Sequence, residues 1–276
     1  MVFDFPVSNV AISYKHPILK LDNPVLDYPS FQVKGNEFFM EVNRIARYLV
    51  RNGNEIFIDP HEQADRASVY LFLAGSAFGV LLHQRCMLPL HGSSFVYNGK
   101  GVVICGASGA GKSSVVASFC QNEGIFINDD ITPLNITDSQ TTIFPICTRI
   151  KLWDDTLEKL NLTSTSLEKI RPTIEKYYLP VSDACIEEKR FDQLYILATH
   201  NKEEFIVKEL NGVEKYNAIR HQIYRKMYLK GMPETEKTYF RQLLKLSTQI
   251  AVKQIVRPSK CDVRETMAFI RKEIGE

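Results

Sequence analysis

The chain has 276 residues, of which 45% are hydrophobic and 24% are charged. These values are ordinary for a globular protein, so they exclude a largely disordered or fibrous chain. The formal net charge of +2 creates no strong overall field for nucleic acid or an anionic membrane. We therefore expect neither as a partner, and either one large domain or a domain with a smaller companion.

Compartment signals point to the inside of the cell. Residues 1–6 lack the basic segment and apolar run of a secretory signal. The apolar stretch at 74–82 is shorter than the about 20 residues needed to cross a bilayer. The six cysteines are scattered without a Cys-x-x-Cys pair, which indicates buried, reduced thiols. We expect a cytoplasmic protein.

The first sixty residues predict a small N-terminal α/β lobe. Short apolar runs broken by Pro and Gly indicate strands at 11–14, 18–21, 38–42 and 55–58. Between the last two, apolar residues at helical spacing predict a helix over 43–52 that stops at Gly53. We place the boundary after this lobe, with domains at 1–60 and 61–276.

The rest of the chain alternates helices and strands. A helix over 62–84 is too apolar for the surface and is expected to be buried. Asn98-Gly99 predicts a tight hairpin between strands at 95–97 and 102–105. Further helices are predicted at 112–121, 155–160, 215–228, 234–251 and 263–274, and further strands at 124–127, 142–144, 148–153, 194–198, 205–210 and 252–256. The strands at 194–198 and 205–210 are expected to pair, with a turn at Asn211-Gly212.

The motif G-x-x-x-x-G-K-[ST] lies between a predicted strand and a predicted helix. The predicted nucleotide-binding residues are Gly106, Ala107, Ser108, Gly109, Ala110, Gly111, Lys112, Ser113 and Ser114. In such a loop the backbone N–H groups and the helix N-terminus face phosphate oxygens. Lys112 is expected to reach the terminal phosphates and Ser113 to ligate Mg²⁺. An ordinary turn would not explain a lysine at a helix start, where the dipole disfavours a cation without an anion.

Two acids and a histidine stand at spacings that bring them toward this loop. Asp129 and Asp130 follow the strand at 124–127, and the carboxyl ends of neighbouring parallel strands meet at one edge. One carboxylate is expected to hold the metal through water and the other to accept a proton from a hydroxyl, unless the pair only opens a turn. His91 begins the hairpin that leads to the loop, although a lone histidine is more often structural.

These motifs together resemble a known family. The segments Leu90-His91-Gly92, 99–113 and 128–130 are similar to the catalytic domain of bacterial HPr kinase/phosphorylase, and the stretches 71–92 and 149–153 resemble the HPr-kinase-related proteins. The resemblance implies an α/β fold with a P-loop kinase core of the HPr kinase and phosphoenolpyruvate carboxykinase type. It also implies ATP and Mg²⁺ as cofactors.

The resemblance implies specific roles at matching positions. His91 would contact the transferring phosphate, Lys112 the β- and γ-phosphates, and Asp130 would be the general base toward a serine hydroxyl. Ser113 and Asp129 would hold the metal. The chain departs from the family at Lys151, where the bifunctional enzymes have a glutamate that assists the metal, which speaks against dephosphorylation. The family also uses a later arginine near the phosphates, and Arg220 and Arg225 are the candidates for it in this chain.

We therefore expect an Mg-ATP-dependent kinase that phosphorylates a serine of a protein or peptide. Related kinases that act on a precursor peptide suggest that substrate class. The alternatives are an ATP-binding interaction module, a nucleotide hydrolase and a carboxykinase-like enzyme; the module would not need Asp130 or His91. The identity of the acceptor, the phosphate donor and the oligomeric state, including a homo-oligomer, stay open.

Overall fold

A computed structural model describes residues 8–275. The strands are β1 (Ala11–Tyr14), β2 (Leu26–Tyr28), β3 (Phe31–Lys34), β4 (Glu37–Val42), β5 (Ala46–Arg51), β6 (Glu55–Pro60), β7 (Leu88–Leu90), β8 (Gly92–Tyr97), β9 (Lys100–Gly106), β10 (Ile125–Asn128), β11 (Thr132–Ile136), β12 (Thr141–Ile143), β13 (Arg149–Trp153), β14 (Glu168–Lys169), β15 (Lys176–Pro180), β16 (Lys189–Arg190), β17 (Gln193–His200), β18 (Ile206–Glu209) and β19 (Ala251–Pro258). The helices are α1 (Arg66–Phe72), α2 (Phe78–Gln84), α3 (Lys112–Cys120), α4 (Asp154–Lys159), α5 (Gly212–His221), α6 (Pro233–Gln249) and α7 (Val263–Ile274). A π-helical turn (Leu73–Ala77) joins α1 to α2, and a 3₁₀ helix (Lys226–Gly231) lies between α5 and α6.

The described chain forms two compact units. The first comprises residues 8–89, Lys169–Ile174 and Tyr224–Gln242. The second comprises Leu90–Glu168, Glu175–Ile223 and residues 243–275. Each unit is therefore built from separate stretches of sequence, and this division differs from the boundary expected after residue 60. Residues 1–7, which include the whole segment considered for a secretory signal, lie outside the described residues.

The first unit contains a sheet with strand order β1-β6-β5-β4-β3-β2. The helix predicted over 43–52 is wrong, because β5 occupies this segment and pairs antiparallel with β4 and β6. Positive backbone φ angles at Arg44 (59°) and Asn52 (54°) turn the chain on either side of it. Pairing on both edges overrides the helix-like spacing of the apolar residues. The N-terminal lobe is thus β-sheet and turn within residues 8–60.

The strand predicted over 18–21 is also wrong, although its apolar residues are buried as expected. Ile18 and Leu21 pack against Phe39 and Leu49. Side chains satisfy the backbone here: the Ile18 amide donates to Asp59 Oδ2 at 3.1 Å and the Leu21 amide to Gln32 Oε1 at 2.8 Å. A backbone paired in this way needs no neighbouring strand.

The predicted apolar helix over 62–84 is confirmed in its main part. It begins after Asp65, whose carboxylate accepts a hydrogen bond from the Ser68 amide at 2.8 Å. Within the described residues, Arg66–Gln84 is the one helix long and apolar enough to cross a membrane, and 67% of its apolar window is buried inside the structure. A core helix passes the same test, so this is weak evidence for a span.

A buried histidine, His83, lies in the last turn of this helix. His83 is fully buried, with Nε2 2.8 Å from the Tyr224 carbonyl and Nδ1 3.1 Å from the Tyr239 hydroxyl. A carbonyl can only accept, so Nε2 carries the proton, and the Tyr239 hydroxyl lies within hydrogen-bonding distance of both Nδ1 and the Met87 carbonyl oxygen. Burial lowers the pKa of His83 from 6.5 to about 4. The unfolded chain therefore binds more protons than the folded chain between these two values.

We expect the free energy of unfolding to fall by about 3 kcal/mol through His83 as the pH drops from about 7 to about 4. Urea unfolding across this range should show the loss in the wild-type protein and a smaller loss in His83→Gln. The glutamine retains a donor and an acceptor but does not titrate. The same pH dependence in both proteins would contradict the assignment.

The second unit is built around a mixed sheet with order β10-β8-β9-β17-β19-β18. The hairpin of β8 and β9 is confirmed, and its turn uses positive φ angles at Asn98 (49°) and Gly99 (72°). Helices α3 and α7 contribute Val116 and Ile270 to a core shared with Ile104 of the sheet. Further strands in this unit pair in the orders β16-β12-β11 and β13-β15.

Two predictions in this unit are wrong. The strands β17 and β18 are not neighbours, because β17 runs parallel to both β9 and β19 while β18 pairs antiparallel with β19. Asn211 is the N-cap of α5 instead of a hairpin residue. The helix predicted over 215–228 ends at His221, before a positive φ of 48° at Arg225.

Strand direction brings the predicted site to one edge. The strand β10 is antiparallel to β8, and β8 is antiparallel to β9. β10 and β9 therefore run in the same direction with β8 between them, so their carboxyl ends lie at the same edge. Asp129 follows β10 and the loop of residues 106–113 follows β9. The expected edge is thus reached through two antiparallel steps and not through neighbouring parallel strands.

Candidate active site

The glycine-rich loop, defined as residues 106–113, connects β9 to α3. Its glycines Gly106, Gly109 and Gly111 have φ angles of 142°, 80° and 99°. Gly111 is the N-cap of α3, and Lys112 is the first helical residue. The predicted order of strand, loop and helix is therefore confirmed. Backbone N–H groups at the start of this helix are available to bind an anion.

Gly106 has no room for a side chain. A Cβ placed there would lie 2.4 Å from the Leu197 carbonyl oxygen, whereas one on Gly109 would meet nothing within 4 Å. Both positions have positive φ, so any L-residue is strained at either one. The two positions differ both in φ and in the contact with β17, and both differences make a side chain more costly at Gly106.

We expect Gly106→Ala to lower the free energy of unfolding by roughly 2–5 kcal/mol, because strain and a backbone clash combine. The matched variant Gly109→Ala should lose only about 1 kcal/mol, since strain acts alone. Urea unfolding of both variants measures these losses. Equal losses would show that the contact with Leu197 relaxes without cost.

Lys112 folds back over its own loop. Its Nζ donates to the carbonyl oxygens of Gly106 at 2.9 Å and Ala107 at 3.1 Å. The residue is only 9% exposed, and burial lowers the pKa of its ammonium. Two neutral carbonyl oxygens of the loop thus accept hydrogen bonds from a desolvated cation. An anion in the loop would be a stronger partner for it.

Asp129 is buried and accepts hydrogen bonds from neutral donors. Its Oδ1 accepts from Ser93 Oγ at 2.7 Å and from Ser113 Oγ at 2.6 Å. Its Oδ2 accepts from the Lys151 backbone amide at 2.8 Å. These bonds join β8, α3 and β13 around one carboxylate. The predicted metal-binding residues Ser113 and Asp129 are therefore in direct contact.

Asp130 contacts cationic or ionisable groups instead. Its Oδ2 lies 2.9 Å from Lys151 Nζ, and its Oδ1 lies 3.5 Å from His91 Nε2. Burial by itself would raise the pKa of this carboxyl, but the Lys151 ammonium and the His91 hydrogen bond outweigh it. The pKa of Asp130 is consequently held well below its usual range, and the side chain is ionised at neutral pH.

His91, at the start of the hairpin, lies beside Asp130, a contact that its spacing from the glycine-rich loop did not predict. The His91 backbone amide donates to the Gln222 carbonyl at 2.7 Å, immediately before β8 begins. Its side chain is 42% exposed. The imidazole therefore has both a neighbour in the site and access to solvent.

Two cations at this site were not predicted as contact residues. Lys151 was noticed only as a departure from the family, yet it contacts both aspartates. Arg257, at the end of β19, directs Nε and Nη2 at the Ala110 carbonyl of the loop, at distances of 3.4 and 3.3 Å. It was not among the arginine candidates, Arg220 and Arg225. The signal for Arg257 was its place at the carboxyl end of a strand.

The oxygen atoms available as metal ligands at the site suit a magnesium ion that is bound together with a nucleotide. No group of three or more His, Cys, Asp and Glu side chains is arranged to hold a metal within residues 8–275. Mg²⁺ in phosphate-transfer sites typically takes one or two protein oxygens and completes its shell with phosphates and water. The Ser113 hydroxyl and the Asp129 carboxylate are such oxygens, 2.6 Å apart.

Comparison with known proteins finds a distant likeness to a solved structure and no matching family model. No family model matches the chain, and no curated protein matches it. Among solved structures, the HPr(Ser) kinase/phosphatase from Coxiella burnetii is similar with 12% identity and a TM-score of 0.37. The match covers 67% of this chain and 95% of that chain. Such a likeness indicates a distant structural relationship only, so function must be inferred from the site itself.

Proposed function

We propose that the protein is a kinase that transfers the γ-phosphate of Mg-ATP to a hydroxyl, and that the acceptor is a serine of a protein or peptide. The observation that carries the proposal is the carboxylate of Asp130, 2.9 Å from Lys151 Nζ and 3.5 Å from His91 Nε2, at the sheet edge where Lys112 begins α3. A phosphate-binding lysine and a carboxylate base at one edge are the parts that transfer to an alcohol requires.

The loop and Lys112 would bind the nucleotide. Backbone N–H groups of the glycine-rich loop and the first turn of α3 would face the phosphate oxygens. Lys112 would exchange its two carbonyl partners for oxygens of the β- and γ-phosphates. Ser113 and Asp129 would hold Mg²⁺, which supplies positive charge to those oxygens when it is bound with ATP.

Asp130 would receive the acceptor's proton. As the serine oxygen forms its bond to the γ-phosphorus, the bond from that phosphorus to the bridging oxygen of ADP breaks, and the proton passes to Asp130. A carboxylate with a low pKa is a weak base, but the transition state of phosphoryl transfer is loose and the position of the base matters more than its strength. His91 would stabilise charge on the transferring group from the other side of Asp130.

Incubation with γ-labelled ATP and a library of serine peptides tests the proposal. Mass spectrometry should find one added phosphate on a subset of peptides, on serine. Label that appears only as free phosphate would instead indicate a nucleotide hydrolase. Nucleotide that binds without any release of label would indicate an ATP-dependent interaction module.

A further inference from the structure

Lys151 neutralises one of two adjacent carboxylates and leaves the other for a metal. We propose that its ammonium acts as a built-in cation of the site: it occupies on Asp130 the place of a second divalent ion, so that the site takes one metal ion per nucleotide. This inference rests on the proposed function, because it concerns the site loaded with ATP.

The first step is the difference between the two aspartates. Asp129 accepts hydrogen bonds from two hydroxyls and one backbone amide, all neutral, and the ammonium groups of Lys112 and Lys151 act on its charge only through space. Asp130 has the Lys151 ammonium at 2.9 Å and His91 at 3.5 Å. A divalent ion is therefore drawn toward Asp129, while on Asp130 it would have to displace an ammonium already in place.

The second step is that the fold holds Lys151 where it is. Its backbone amide donates to Asp129, so the residue contacts both carboxylates at once. The flanking residues Ile150 and Leu152 are buried, and Lys151 pairs with Tyr178 of β15. The Lys151 side chain is only 16% exposed, and moving it away would leave Asp130 without its close cation.

The third step is charge. A lysine brings a single positive charge that does not dissociate, whereas a divalent ion exchanges with the solvent. With Lys151 fixed on Asp130, the carboxylate is kept for the acceptor hydroxyl and is not a metal ligand. The number of ions bound with a nucleotide then depends on Lys151, and removal of its charge should admit a second ion.

Equilibrium dialysis of the full chain with Mn²⁺ and the non-hydrolysable analogue AMPPNP tests this inference. Free Mn²⁺ is measured by electron paramagnetic resonance and nucleotide by absorbance. We expect one Mn²⁺ per bound AMPPNP in the wild-type protein and two in both Lys151→Met and Lys151→Glu. Thermal unfolding identifies any variant that has lost its fold, and the wild-type count stands without the variants.

The matched control is Lys208→Met. Lys208 lies on β18, and its exposed ammonium forms an ion pair with Glu214. This control variant should still bind one Mn²⁺ per AMPPNP. That result would separate the effect of the contact with Asp130 from a general loss of positive charge. Two Mn²⁺ in the wild-type protein, or one in both folded Lys151 variants, would overturn the inference alone. Failure of the wild-type protein to retain AMPPNP would instead overturn the proposed function itself.

Discussion

Replacement of Asp130 by Asn is expected to slow phosphate transfer by about 10²–10⁴-fold while nucleotide binding persists. The amide has nearly the same shape and still offers an oxygen to Lys151, but it cannot accept the proton of the acceptor hydroxyl. Loss of a positioned general base typically slows transfer by about 10²–10⁴-fold. We expect kcat to fall by this amount with an AMPPNP dissociation constant within a few-fold of the wild-type value.

The control for this substitution is Asp138→Asn. Asp138 has a 90% exposed side chain in an ion pair with Lys245, so the change removes the same charge outside the site. This variant should phosphorylate the peptide substrate of the wild-type protein at an unchanged rate, as measured by mass spectrometry. Because Asp130→Asn leaves the Lys151 ammonium without its carboxylate, thermal unfolding must show that the protein is folded. A folded variant with near-normal kcat would contradict the assignment of Asp130.

Replacement of Lys112 by Met is expected to weaken nucleotide binding by roughly 10²-fold, since each lost charge-assisted hydrogen bond is worth about 1.5–3 kcal/mol. The stability of the unliganded protein should not fall in parallel. Burial disfavours the Lys112 ammonium, and its two partners are carbonyls of the same loop. Methionine retains most of the side-chain volume without that charge.

Calorimetric titration with Mg-AMPPNP measures the first effect, and thermal unfolding with and without nucleotide measures the second. At the same nucleotide concentration, the nucleotide should stabilise the wild-type protein more than the Lys112→Met variant, by up to about 2.7 kcal/mol. Lys159→Met is the matched control, because Lys159 is 56% exposed and forms an ion pair on α4 with Asp155. Tight binding of AMPPNP by Lys112→Met would contradict the role of the glycine-rich loop.

Adjacent residues receive opposite environments at this site because the backbone turns between them. Asp130 has a positive φ of 71°, which is uncommon for a residue with a side chain but tolerated by aspartate. The turn separates the carboxylate of Asp129, bound by neutral donors, from that of Asp130, bound by Lys151. The division into one proposed metal ligand and one proposed base thus has a structural origin in a single backbone conformation.

Local patterns predicted much of the second unit. The hairpin of β8 and β9, the loop after it and helix α3 are encoded by residues close in sequence, with Asn98-Gly99 as the turn and Gly111 before Lys112. The prediction of a helix over 43–52 was wrong because contacts with other strands, and not the local pattern, decided its structure. Its apolar residues fit both a helix and a buried strand, and pairing with β4 and β6 decided between them.

The sequence by itself determined the glycine-rich loop, the pair Asp129 and Asp130, and the place of His91 at the start of the hairpin, because each of these is encoded by a local motif. Only the tertiary structure decided which carboxylate contacts which partner. Lys151 is 21 residues from Asp130 along the chain, and Arg257 is 147 residues from the loop carbonyl it contacts. Strand order and register bring such groups together, and no local pattern of residues records either.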